Sequence, residues 1–209
     1  MVAKAHQRAN IILRSFLSRD VGSLVRAFVV YVRPMVEYNS VIWSPSTVRD
    51  IELIERVQRR FTKRLPGFKT YCYDDRLSIL CLPSLELRRL HIDLILRYKI
   101  VFGIVDVKFD DFFKRSSVVA TRGHAFKLFK EHSTNNFREA FFSQRVINIW
   151  NALPETVDFR PHSWDQGHSI YEVEAEAKAE AVIFGLEVEA ISRTSHPCLK
   201  EVKFNTTTP

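Results

Sequence analysis

The chain has 209 residues, 46% of them apolar and 26% charged, with a formal net charge of +7. That apolar content excludes a wholly disordered chain, and six glycines with eight prolines exclude collagen-like or glycine-linker architecture. The positive balance points to an anionic partner, nucleic acid or membrane surface, without choosing between them.

The first predicted helix covers residues 3–18, with Ile11, Ile12, Ser15 and Phe16 on one side. A second runs from about Val21 to Val32. Pro34 can open a third, because proline is tolerated at the first helical position; it carries Met35, Val36, Tyr38 and Ile42 and ends before Pro45. The clearest element runs from Thr47 to Leu65. Thr47 with Asp50 fits a capping-box variant. Val48, Ile51, Ile54, Val57, Phe61 and Leu65 recur at steps of three and four as one stripe, and Pro66-Gly67 ends the helix. Asp74-Asp75 opens a short helix, where two carboxylates meet the helix dipole favourably. Ser84 to Phe102 is a further helix, with Ser84 as N-cap and Gly103 as stop. Residues 104–136 read as irregular, with Phe109, Phe112 and Phe113 plugging a core. Phe137 to Leu153 reads as one helix, with Phe142, Val146, Ile149, Trp150 and Leu153 on one side.

The charges divide the chain near residue 160. Residues 1–160 hold 27 Lys and Arg against 16 Asp and Glu, net +11; residues 161–209 hold 4 against 8, net −4. Two regions follow: a helical body over 1–160 and an acidic tail over 161–209, poorly ordered or partly helical. Tyr171 to Ala179 alternates like a strand but is rich enough in Glu and Ala to be an exposed helix. The fold class expected is mostly α: a helical bundle with irregular Phe-rich connections and that tail.

Cys72, Cys81 and Cys198 form no C-x-x-C pair and no disulfide framework, which favours a reducing intracellular compartment. The N-terminus lacks the apolar core of a secretory signal. The apolar run Leu24 to Val32 is interrupted by Arg26 and falls far short of the roughly 20 residues of a membrane span. The sequence carries no phosphate-binding glycine loop, no metal-spaced histidines and no nucleophile elbow, so no catalytic residue, metal or cofactor is assigned.

The strongest chemical feature is Arg56-Val57-Gln58-Arg59-Arg60-Phe61-Thr62-Lys63-Arg64. At helical spacing Arg56, Arg60, Lys63 and Arg64 share a flank with Arg59 close by, opposite the apolar stripe. A row of cations on a rigid helix can track a phosphate backbone, and the planar guanidinium bonds two phosphate oxygens at once. Gln58 and Thr62 can add neutral hydrogen bonds. The competing reading is a solvated face partly paired with Glu52 and Glu55. Arg88-Arg89 and Arg97-Lys99 read as solvated faces. Trp43 either anchors a helix corner or stacks on a base; Trp150 reads as core.

Tyr31-Val32-Arg33-Pro34-Met35-Val36-Glu37-Tyr38, followed by Val41-Ile42-Trp43-Ser44-Pro45, resembles a segment of the non-LTR (LINE-type, jockey-like) retrotransposon reverse transcriptases. The resemblance continues through Ile54–Leu65, Arg76–Leu82, Ser84–Arg89, Asp93–Lys99, Thr121-Arg122-Gly123 and Phe141–Pro154, and covers roughly residues 8–159. It implies the thumb-like helical region that follows the polymerase palm and holds the template–primer duplex. On that basis Arg56, Arg59, Arg60, Lys63 and Arg64 are the nucleic-acid-binding residues. The resemblance also implies a nuclear site of action. The family's endonuclease and its finger–palm core with the catalytic aspartates have no counterpart in these residues. Tyr71-Cys72-Tyr73-Asp74-Asp75 mimics the family's Y-x-D-D turn but with the wrong spacing. The expected function is thus a noncatalytic remnant of an RNA-directed DNA polymerase that holds RNA or DNA nonspecifically. The alternative is a helical protein-interaction module, self-associating through an apolar face near Trp43 and Phe61 or at Phe141-Phe142.

Overall fold

Hydrophobic periodicity sets most of the helices, and the caps read from the sequence end them. A computed structural model describes residues 1–17, 19–116 and 124–153, all within the unit Met1–Asp165. The boundary near residue 160, the acidic tail, Tyr171–Ala179 and Thr121-Arg122-Gly123 lie outside the described residues. The described region is mostly helical, in the order α1 (Val2–Ser15), α2 (Val21–Tyr31), α3 (Arg33–Glu37), α4 (Ser40–Trp43), α5 (Val48–Lys63), α6 (Tyr73–Ile79), α7 (Leu85–Val101), a 3₁₀ turn (Phe109–Asp111), α8 (Asn136–Glu139), α9 (Phe142–Arg145) and α10 (Ile147–Asn151).

Asp20 caps α2 by accepting from the Ser23 amide at 2.7 Å. Thr47 caps α5, accepting from the Asp50 amide at 3.2 Å while its hydroxyl donates to the Asp50 carboxylate at 2.7 Å. Ser84 caps α7 through the Leu87 amide at 3.1 Å. At the other end of α7, Gly103 takes φ +67°, and the amides of Gly103 and Ile104 bond the carbonyls of Ile100 and Lys99, a Schellman closure.

One core joins α1, α2, α3, α5 and the start of α7. On α1 the inward row is Ala5, Ala9 and Ile12; of the side that apolar content favours, Ile12 is buried, but Ile11 is 60% exposed and Phe16 also faces solvent. The two alanines let α5 approach closely, so register and size outweigh hydrophobicity there. On α5, Ile54, Val57 and Phe61 turn inward and Phe61 stacks on Phe28 at 4.4 Å, whereas Val48 is exposed.

Two predicted helices are broken. The element opened by Pro34 divides at Asn39, whose φ of +56° is left-handed and stops α3 before α4. Tyr38 and Ile42 are exposed as a result. The Trp43 indole packs on the core and donates to the Tyr38 carbonyl at 2.7 Å across the break, the helix-corner role. The element over 137–153 is three short helices. Its carbonyls are diverted to arginines: Ala140 accepts from Arg145 at 3.1 Å and Phe142 from Arg97 at 2.9 Å. Val146, Trp150 and Leu153 still reach the interior, but Ile149 is exposed. Trp150 is fixed by donating to the Phe126 carbonyl at 2.8 Å. In the preceding connection only Phe113 of the three phenylalanines is fully buried; Phe112 faces solvent and Phe109 is half-buried. Among the described residues the one extended pairing is an isolated antiparallel bridge, Arg115 to Leu128.

Candidate nucleic-acid interface

The basic helix carries two kinds of polar residue, and the structure separates them. Arg56, Arg59, Arg60, Lys63 and Arg64 are all exposed. Glu55, Gln58 and Thr62, interleaved with them, are all buried. Gln58 and Thr62 therefore cannot bond a nucleic acid, contrary to expectation. Gln58 lies four residues after Ile54 and three before Phe61, inside the apolar stripe, and this spacing was the signal available in the sequence.

Each buried polar group ties α5 to a neighbour. The Glu55 carboxylate accepts from the Leu85 amide at 2.9 and 3.2 Å and the Glu86 amide at 3.3 Å, where it meets the positive end of α7. It also accepts from the Tyr73 hydroxyl. Burial, and next the bond to Glu55, push the Tyr73 phenol well above its usual range. Gln58 donates to the Pro83 carbonyl at 2.8 Å. Thr62 accepts from Arg76 Nε at 3.2 Å, and the same guanidinium donates to the carbonyls of Tyr71 at 2.9 Å and Arg59 at 3.4 Å, which docks α6 on α5. Asp74 and Asp75 sit exposed in the first turn of α6.

With Glu55 turned inward, the outward face loses its nearest anion. None of the five exposed cations is ion-paired with a carboxylate among the described residues. The solvated-pair reading with Glu52 and Glu55 does not describe this face. Two edges hold it in place. On one, the Arg59 guanidinium lies 4.9 Å from the centre of the Tyr73 ring. On the other, Arg64 donates to the Asn10 side chain of α1. The row Arg56, Arg60, Arg64, at steps of four, thus runs along the α1 side of the helix.

The other arginines read as solvated are not. Arg89 and Arg97 are 2% and 0% exposed. Arg88 is held by Glu37 through two hydrogen bonds of 3.3 Å. Arg97 lies 4.5 Å from the Phe113 ring centre and its pKa is pushed down to about 9, chiefly by burial. Arg89, Asp93 and Arg97 share one row of α7, but apolar residues are spread around that helix and Arg88 and Lys99 lie off the row, so the pattern marks no single polar face.

Among the described residues no group of three or more His, Cys, Asp or Glu is placed to hold a metal ion, and no helix is long and apolar enough to cross a membrane. The chain matches no protein-family model, no curated protein and no solved structure.

Proposed function

We propose that this protein holds nucleic acid through its phosphate backbone, without sequence preference, on the exposed face of α5. We propose also that it descends from the thumb and following segment of a non-LTR retrotransposon reverse transcriptase and performs no polymerase chemistry itself. The observation that carries the binding reading is the set Arg56, Arg59, Arg60, Lys63 and Arg64, exposed and without carboxylate partners on a helix whose other face is fixed in the core. Unneutralised cations on a rigid rod gain most from releasing the counterions condensed on a polyanion. The descent rests on the ordered sequence blocks alone.

The test is fluorescence anisotropy of a labelled RNA–DNA hybrid across salt. The affinity should fall with a log–log slope of about −3 to −5, from about −0.9 per neutralised phosphate. Reversing Arg56, Arg60 and Lys63 to Glu together should abolish binding and leave the helical circular dichroism intact. A flat salt response, or no binding at low salt, overturns the reading.

A second reading, association through an apolar face, has one observation in its favour. The Arg145 guanidinium bonds the carbonyls of both Val41 and Ala140, and the next residues in sequence, Ile42 and Phe141, are 77% and 62% exposed. The expected centre at Phe61 is buried and drops out. Light scattering after size exclusion decides this reading: a concentration-independent monomer excludes it.

A further inference from the structure

We infer that His6 of α1 is a second, protonatable contact of the phosphate-binding surface, so that nucleic-acid binding takes up a proton. This rests on the α5 reading and deepens it.

The geometry comes from two helices packed side by side. Asn10 of α1 is bonded by Arg64 of α5. His6 lies one turn before Asn10 on the same flank of α1, as Arg60 lies one turn before Arg64 on α5. His6 therefore stands beside Arg60, with Arg56 the next cation to act on it, and is half-buried at the seam of the two helices. The charged groups acting on it are Arg60 and then Arg56. The other helices packed on α1, α2 and α3, carry Arg26 and the mutually paired Arg33 and Glu37, and none of these bears on it. The imidazole thus has cations beside it and no carboxylate acting on it. Burial first, and the two arginines second, hold its pKa below the ordinary histidine range.

A phosphate docked on Arg56 and Arg60 reverses that balance. It places negative charge within reach of the ring, favours the imidazolium, and gives it an oxygen to bond. By linkage, a group whose pKa is raised on binding takes up a proton in the interval between its free and bound pKa values. Affinity therefore rises as pH falls through that interval, by up to about tenfold per pH unit for one proton. The phosphodiesters of the ligand do not titrate there, so the proton belongs to the protein.

The experiment uses the full chain and a DNA duplex without terminal phosphates. Anisotropy titrations at fixed salt from pH 5 to 8 are run on wild type and His6→Gln. In parallel, NMR follows the His6 ring shift with and without duplex. The inference expects wild-type affinity to increase by about three- to tenfold from pH 7.5 to 5.5. It expects His6→Gln to flatten that dependence while keeping most of the salt slope, and the His6 pKa to rise on adding duplex. Binding with an intact salt slope but an unmoved His6 pKa, or the same pH dependence in His6→Gln, overturns this inference and leaves the α5 reading standing. No binding at any pH overturns both. The chain has seven histidines, and the His6→Gln comparison with the residue-specific ring shift assigns the effect.

Discussion

On α5, Arg56, Arg60 and Arg64 recur every fourth residue and all face solvent. On α7, Arg89, Asp93 and Arg97 recur at the same step and all are buried. The spacing is the same, and the difference lies in which arc of each helix meets the core. On α5 the row is offset from Ile54, Val57 and Phe61. On α7 it follows Leu85, a core residue, by one turn. An outward row of cations is free to meet an external polyanion. An inward row must find its anions within the fold, and α7 supplies Asp93, bonded by both arms of Arg145 at 2.7 and 2.8 Å. The compensation is incomplete. Both terminal nitrogens of Arg89, and Nε and Nη1 of Arg97, are buried without a hydrogen-bond partner. Burial outweighs Arg145 at Asp93 and pushes its pKa up. The α7 cations thus serve architecture at an electrostatic cost, while the α5 cations add little to stability.

The contrast can be broken most directly at Asp93. Asp93→Ala leaves Arg145 without its carboxylate in a buried cluster and should cost about 3–5 kcal/mol. Arg60→Ala, on the exposed row, should change stability by no more than about 0.5 kcal/mol. Urea unfolding followed by circular dichroism compares the two, and equal effects would erase the distinction drawn between the helices.

The next effect sits beside the buried row. Burial, then Arg88, pushes the His91 pKa down to about 4 in the fold, against 6.5 when unfolded. The native state therefore binds fewer protons than the unfolded chain between these values. The stability that neutral His91 contributes is complete above pH 6.5 and lost as pH falls toward 4, by at most about 3 kcal/mol. His91→Gln should flatten this part of the profile. An unchanged acid limb would show that His91 is not set apart from water.

A smaller effect tests the residue that joins the two rows. Glu55 lies on α5 yet caps α7, and Glu55→Gln trades charge-assisted bonds for neutral ones at a cost of about 1–2 kcal/mol. Because Glu55 does not face the α5 cations from outside, the substitution should leave nucleic-acid affinity within about threefold, the sequence-independent term being set by the exposed charges. A gain well beyond that would mean Glu55 was neutralising the binding face after all.

Local signals carried much of this fold. Thr47 with Asp50, Ser84 and Gly103 mark helix ends through bonds that each residue makes with its own neighbours, and they were legible for that reason. The five exposed cations of α5 could be named because its apolar stripe is narrow enough to define an opposite face. Glu55 could not be read, since its partner amides lie 30 and 31 residues away on α7. Gln58 stood in the stripe and was legible by position, but its polarity hid it. The breaks after Glu139 and at Asn39 depend on guanidinium bonds and a left-handed residue, which no hydrophobic period records. His6 became visible only when α1 was laid beside α5.

Binding through α5 requires that its exposed cations touch phosphate. The direct measurement is the salt dependence of duplex binding for wild type and for Arg56→Gln, Arg60→Gln and Lys63→Gln made singly. Each substitution should lower the magnitude of the log–log slope by about 0.9, the share of a single neutralised phosphate. Slopes that stay at the wild-type value in all three, with the helical signal retained, would show that α5 does not contact the phosphates.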